Sequence, residues 1–271
     1  MTKHPKPLCK CIFCPRTDMS REHVWADWLR NYIPKNMPSY SSLSAVAYPK
    51  HTEFKKQRIS GDIRSRKLRV VCERHCNNGW MSKLQEKVKP YLIPLISGDA
   101  TAMDATGQGI VAAWIAMTVM VAEYFDPSKA AVSYTQRRYL YKNQAVPANW
   151  KIWIGHYVRG SWPAYLVHNP LPISSSKHRV RRLDTGLPRP NTQTTALVVG
   201  ELYIFAASSD TDVFDRWEVP GEGEKLAQIW PIRRNIVAWP TKTLTDRGAD
   251  QVAGSFFLAV EEIGRRNRTQ T

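Results

Sequence analysis

Two cysteine pairs limit how this chain can fold more than any other feature. Cys11-Ile12-Phe13-Cys14 is a C-x-x-C, and Cys72-Glu73-Arg74-His75-Cys76 is a C-x-x-x-C. Short spacing lets one tight turn present both sulfurs of a pair, and two pairs can set four thiolates tetrahedrally around Zn²⁺. The long insertion between the pairs then becomes a loop closed by metal, which stabilises a module with little core of its own. Cys11, Cys14, Cys72 and Cys76 are the expected structural zinc ligands. Cys9 is an alternative to Cys11, and His75 an alternative ligand within the second pair. The plainer alternative is a set of buried thiols that hold no metal.

The compartment reading points the same way. The basic, Pro-rich stretch Met1–Leu8 has no apolar run behind it, so no secretory signal is expected. The chain is expected to be soluble and cytoplasmic, where four of five cysteines in tight pairs favour metal over disulfides. The most apolar stretch, Ile110–Val121, is followed by Glu123 and is expected to be a buried helix, being short for a bilayer span.

Charge is unevenly placed. The net charge is +16, and residues 1–90 carry 19 Lys/Arg against 7 Asp/Glu, whereas the remainder carries 20 against 16. The positive field thus lies with the cysteines. Such a field attracts polyanions, chiefly nucleic acid, through phosphate neutralisation and counterion release. Arg21, Lys55, Lys56, Arg58, Arg64, Arg66, Lys67 and Arg69 are the candidate backbone contacts; a merely solvated basic loop is the alternative. His178-Arg179-Val180-Arg181-Arg182 is a second basic run, as consistent with plain surface as with DNA contact.

Between the cysteine pairs lies Ser20-Arg21-Glu22-His23-Val24, and the second pair runs into Asn77-Asn78-Gly79-Trp80-Met81. Phosphodiester hydrolysis needs a base for water, neutralisation of phosphate charge and a stabilised leaving oxygen. A neutral imidazole at His23 suits the first task. Glu22 and either Asn77 or Asn78 offer hard oxygen ligands for Mg²⁺ or Mn²⁺. Adjacent residues of a regular strand face opposite ways, so Glu22 and His23 can serve one site only where the strand is distorted or the substrate lies at its edge.

These motifs resemble the zinc-knuckle branch of the HNH (ββα-metal) endonucleases, and within it phage and bacterial proteins with "EHVW" and "CNNGWMS". The likeness covers roughly residues 9–86. It implies His23 as general base, Glu22 and Asn77 as ligands of a catalytic Mg²⁺ or Mn²⁺ (Asn78 as the fallback), and double-stranded DNA as substrate. It also implies a departure: the family's middle Asn is missing, and Arg66, Lys67 and Arg69 occupy its stretch. A non-catalytic zinc-knuckle protein that binds nucleic acid or regulates is the rival reading.

The expected fold class is α+β: an N-terminal zinc-stapled ββα-metal module, then a helical segment, then a mixed, mainly antiparallel β domain. The divisions fall at residues 1–90, 91–130 and 131–271. Trp25–Ile33 has helical spacing, 34–66 reads as a long polar loop, and Leu68–Val71 as a strand. Asn77 or Asn78 is expected to cap a helix that carries Met81, Leu84 and Val88 and closes at Pro90. Gly107–Tyr124 reads as a long apolar helix. Trp150–Ile154, Ala164–His168, Ala196–Val199 and Leu202–Ala207 read as strands, with a hairpin turn at Gly200-Glu201. Leu183–Asn191 reads as a loop. A last helix over Ala249–Ile263 is expected to bury Val252, Phe256, Leu258 and Val260, ahead of a frayed tail Arg265–Thr271. Trp80 is expected to pack into the core.

Overall fold

The computed structural model describes residues 9–33, 39–47, 52–60, 66–158, 160, 164–174, 179–183, 186 and 188–269. In chain order the elements are β1 (Met19–His23), β2 (Ser39–Ala47), β3 (Thr52–Ser60), β4 (Lys67–Cys72), α1 (Ser82–Ser97), β5 (Thr101–Asp104), α2 (Ala105–Ala122) and α3 (Tyr134–Asn143). They continue with β6 (Trp150–Tyr157), β7 (Ala164–Leu171), β8 (Thr192–Val199), β9 (Leu202–Ser209), β10 (Ala227–Trp230), β11 (Ile236–Trp239), β12 (Thr243–Leu244) and α4 (Asp246–Thr269). The fold is α+β, with these four α-helices among the described residues.

The centre is a mixed sheet of order β10-β6-β9-β8-β7-β2-β3, with β12 beside β6. Most pairs are antiparallel; β2 with β7 and β12 with β6 are parallel. Alternation along β9 divides the sheet's two faces. Leu202, Ile204 and Ala206 join the core that contains α2, whereas Tyr203, Phe205 and Ala207 join the core that contains Val252, Phe256 and Phe257 of α4. Both faces are covered, so β8 and β9 are buried along their whole length. The two meet at Gly200-Glu201, where Val199 pairs Leu202 across a two-residue turn. Gly200 has φ +58°, and a Cβ there would sit 2.5 Å from the Ile96 carbonyl oxygen. That oxygen accepts from Glu201 N at 2.9 Å, which docks the end of α1 onto the turn.

Asp104 caps α2 by accepting from Gly107 N at 2.8 Å. Ala105–Phe125 is long and apolar enough to cross a membrane by length and composition, but 78% of its most apolar window is buried within the fold. Burial, rather than the shortness expected from sequence, marks it as a core helix.

Several expectations need correction. Residues 34–66 are not one long loop: β2 and β3 pair antiparallel over nine residues, Ser39↔Ser60 to Ala47↔Thr52. Pro90 does not close α1, which runs through Pro90 and Pro94 to Gly98, a left-handed cap at φ +76°. An interior proline costs about 3 kcal/mol. Burying Leu84, Val88, Leu92, Leu95 and Ile96 on one face, at roughly 1.5–3 kcal/mol each, outweighs two of them. Neither Asn77 nor Asn78 caps α1; both lie in a helical turn, Glu73–Met81, broken at Gly79. The Trp25–Ile33 helix shrinks to a 3-10 turn, Asp27–Asn31. α3, β5, β10, β11 and β12 were not foreseen. α4 begins at Asp246 and continues to Thr269, beyond the expected end; Leu258 is exposed, while Val260 packs at the core's margin. The expected loop 183–191 carries one bridge to its approach, Arg182↔Pro188. The basic arm 1–8 lies outside the described residues.

Candidate metal centre

The first cysteine pair sits in a turn closed by Cys11 N donating to Arg16 O at 2.9 Å, and Ile12 N fastens that turn to Val70 O of β4 at 3.0 Å. Cys72 ends β4, and Cys76 follows in the broken helical turn. Gly79 allows that turn to tighten: a Cβ there would meet the Arg74 carbonyl oxygen at 3.0 Å. β1 and β4 pair antiparallel beneath, and Glu73 N extends the pairing to Asp18 O at 2.8 Å.

This scaffold brings the Sγ atoms of Cys11, Cys14, Cys72 and Cys76 within 4.8 Å of one another, all buried. Cys11–Cys76 is 3.6 Å, Cys14–Cys72 3.4 Å and Cys14–Cys76 3.7 Å. Zn–S bonds of about 2.3 Å place tetrahedral sulfurs about 3.8 Å apart, so the four sulfurs fit one metal ion such as zinc. Soft thiolates with no oxygen donor among them suit Zn²⁺ far better than Mg²⁺ or Ca²⁺. Phe13 N also points at Cys11 Sγ, 3.4 Å away, an N–H···S contact that favours the thiolate. Cys9 and His75 are exposed and lie outside the cluster.

The thiols do not ionise alike. A hydrogen bond from Cys76 draws Cys11 down to about 5, while burial pushes Cys14 up to about 12. Cys76 is raised, chiefly by its hydrogen bond to Cys11. Four thiols crowded this closely cannot all become thiolates against one another; a divalent cation supplies the charge that lets them.

The centre is supported from α3, which the sequence reading missed. Buried Arg137 donates from Nε to Ile12 O at 3.2 Å and from Nη1 to Glu123 Oε1 at 2.9 Å. Glu123 Oε2 accepts from Ala131 N and Val132 N at 2.8 and 3.1 Å. Trp80, buried as expected, meets Phe13 edge-on at 5.2 Å and Tyr141 at 6.2 Å. The only advance signal for α3 was Ser133, whose hydroxyl accepts from Gln136 N.

Beside the cluster lie the expected catalytic residues. The β1–β4 register slips between Ser20 and Glu22, but Glu22↔Leu68 and His23↔Lys67 then pair regularly, so the acid and the imidazole leave opposite faces of the strand. Glu22 is 8% exposed and His23 only partly buried, so the two meet different surroundings. Burial pushes the Glu22 carboxyl up to about 7, with Lys67 pulling the other way. Burial holds the His23 imidazole below its ordinary value, and Lys67 adds to that. His23 Nε2 is buried with no hydrogen-bond partner among the described residues; Asp27 Oδ1 lies 3.5 Å away and pairs with Arg30 Nε at 2.9 Å.

Asn77 reaches back to β1. Its Nδ2 donates to Ser20 Oγ at 2.8 Å and to Arg21 O at 3.4 Å, leaving Oδ1 as its open acceptor. Asn78 is exposed. Arg21, Arg66, Lys67 and Arg69 are exposed around this hairpin, with the Arg66 guanidinium 5.6 Å over the Phe125 ring. Lys55, Lys56 and Arg58 lie on β3, the last strand of the large sheet. Arg64 and His178 lie outside the described residues.

Comparison with known proteins finds no match. Neither the family models, nor the curated proteins, nor the solved structures contain one. The cluster has its own geometry, in which four sulfurs can hold zinc and an imidazole with a buried Nε2 near Asp27 stands on the adjoining hairpin.

Proposed function

We propose that this chain is a metal-dependent endonuclease of the HNH type, hydrolysing phosphodiester bonds, with double-stranded DNA as substrate. The observation that carries the reading is the placement of His23. Its buried Nε2 makes no hydrogen bond among the described residues, with Asp27 Oδ1 3.5 Å away, and sits on a hairpin clamped by the four cysteines; burial lowers its pKa, which favours the neutral imidazole near pH 7. A neutral imidazole accepts a proton from water. Order along the chain supports the ββα reading: β1, then β4, then the broken turn and α1, with zinc as the structural staple at Cys11, Cys14, Cys72 and Cys76.

Glu22 and the Asn77 Oδ1 are the ligands proposed for a catalytic Mg²⁺ or Mn²⁺, which would stabilise charge on the phosphate and the leaving oxygen. A carboxyl raised to about 7 by burial must lose its proton before it binds a cation, so metal binding there would weaken as pH falls through 7. The exposed Arg21, Lys67 and Arg69 are placed to meet the backbone of a bound duplex. Arg66, which here stacks on Phe125, would give phosphate contact only from the outer side of its guanidinium.

A second reading is favoured by one specific feature. Asn77 spends its amide N–H groups bracing β1, and Glu22 is enclosed, as in a purely structural hairpin that binds nucleic acid without cutting it.

Plasmid cleavage decides between them. Purified protein is expected to nick or linearise plasmid with Mg²⁺ or Mn²⁺, and His23→Ala to lose at least a hundredfold in rate, the scale of a missing general base. Zinc content and melting temperature of that variant should match the wild type. A wild type inert on DNA and RNA across divalent ions hands the site to the binding reading.

A further inference from the structure

A cleft of about 780 Å³ opens between α3, the loop after it, and Arg179, Arg181 and Arg189–Asn191. That size falls within the range of small-ligand sites. Its lining is chemically divided. Arg179, Arg181 and Arg189 come from one segment, while Tyr134 and Tyr139 come from α3, 49% and 46% exposed.

The arginines are held in an arrangement that costs free energy. Arg182 bridges Pro188 in antiparallel fashion, and Arg189 N donates to Arg181 O at 2.7 Å. Arg181 and Arg189 are therefore opposite neighbours in a short two-strand pairing, where like charges repel. None of the three guanidiniums has an ion-pair partner among the described residues. Asp210, the only carboxylate among the described lining residues, already accepts from Gln136 Nε2 at 2.7 Å. Gln136 is fixed in turn by Trp150 Nε1, which donates to its Oε1 at 2.7 Å. The α3 side of the cleft is thus fixed by hydrogen bonds, and the arginines' positive charge is unmatched among the described residues.

Unpaired guanidiniums beside open phenol rings match one chemistry. Guanidinium forks grip phosphate oxygens through paired N–H···O bonds, and Tyr rings stack on bases. We propose that this cleft binds a nucleotide unit, its phosphates on Arg179, Arg181 and Arg189 and its base against Tyr134 and Tyr139. The unit can be a free nucleotide or one position of a single strand. The proposal stands apart from cleavage, because the cleft uses none of the residues of the cysteine hairpin.

The test is an anisotropy titration of the full chain with a short labelled oligothymidylate, with no divalent ion added, so that cutting is not read out. Arg181→Gln with Arg189→Gln should weaken binding at least tenfold and flatten the salt dependence, by about 0.7 in log–log slope per lost phosphate contact. Tyr134→Ala with Tyr139→Ala should weaken it by about 5- to 150-fold, the scale of one base stack. With unaltered protein, ATP should displace the probe far better than inorganic triphosphate. ATP displacing the probe at low concentration assigns a free nucleotide, and an oligonucleotide outcompeting ATP assigns a strand. Triphosphate competing as well as ATP, or an arginine pair variant that keeps the wild-type affinity and salt slope, overturns the proposal.

Discussion

His168 is a buried residue of β7, its Nδ1 2.8 Å from the Thr195 hydroxyl and its Nε2 3.5 Å from the Lys129 carbonyl. Burial holds it down to about 4. An unfolded histidine takes its proton near 6.5, so between there and about 4 the unfolded chain binds more protons and the fold loses stability as pH falls. The loss should reach on the order of 3 kcal/mol below pH 4, at about 1.4 kcal/mol per pKa unit. Glu22 and Glu123, both raised to about 7 by burial, pull the other way over this window, so the test is the difference between wild type and His168→Gln in urea unfolding at pH 7 and pH 4.5; equal pH dependence of the two would remove His168 from the account. At the cysteines the sequence went far: pair spacing favoured the four sulfurs that the fold gathers, and the fold leaves out the alternatives Cys9 and His75. Glu22 and His23 were visible as residue types, but their different burial and the slipped register between the strands were not, because both depend on β4, more than forty residues away.

Arg137 and Glu123 operate at the scale of elements. They link α3, the end of α2 and the first cysteine turn through buried, charge-assisted hydrogen bonds. Removing one partner of such a pair leaves a buried charge alone, so Arg137→Met should cost about 3–5 kcal/mol, and adding Glu123→Gln should recover part of it. Chemical denaturation of both variants checks this. A single variant within about 1 kcal/mol of wild type would mean the pair behaves like a surface ion pair. Nothing in the sequence advertised the link, since Tyr134–Asn143 has only Leu140 as a deeply buried aliphatic and its other buried residues are Gln136 and Arg137. The hairpin β2–β3 was hidden for a similar reason. Ser-rich β2 and Lys-rich β3 read as polar loop, and what orders them is backbone pairing with each other and with β7, far along the chain. By contrast β8, β9 and their turn were legible, because β-branched runs flank a glycine that the turn requires.

At the scale of the whole molecule, one cluster of buried side chains runs from Cys11, Cys14, Cys72 and Cys76 through α1 and α2 to Ile152 and Ile204 of the sheet. Metal loss should therefore be felt everywhere at once. Elemental analysis should find one zinc per chain, and chelation or Cys72→Ser should lower the melting temperature in a single cooperative transition. A zinc-free Cys72→Ser protein that melts at the wild-type temperature would remove the metal from the fold's support. The same continuity bears on dissection. A fragment cut after residue 90 would keep the sulfurs and the hairpin beneath them. It would also strip β2 of its partner β7 and uncover Leu84 and Val88, which α2 and its neighbours now shield. The cysteine-bearing end is grafted into the trunk of this protein, and a portable cassette would have to be redesigned along that seam before it could travel alone.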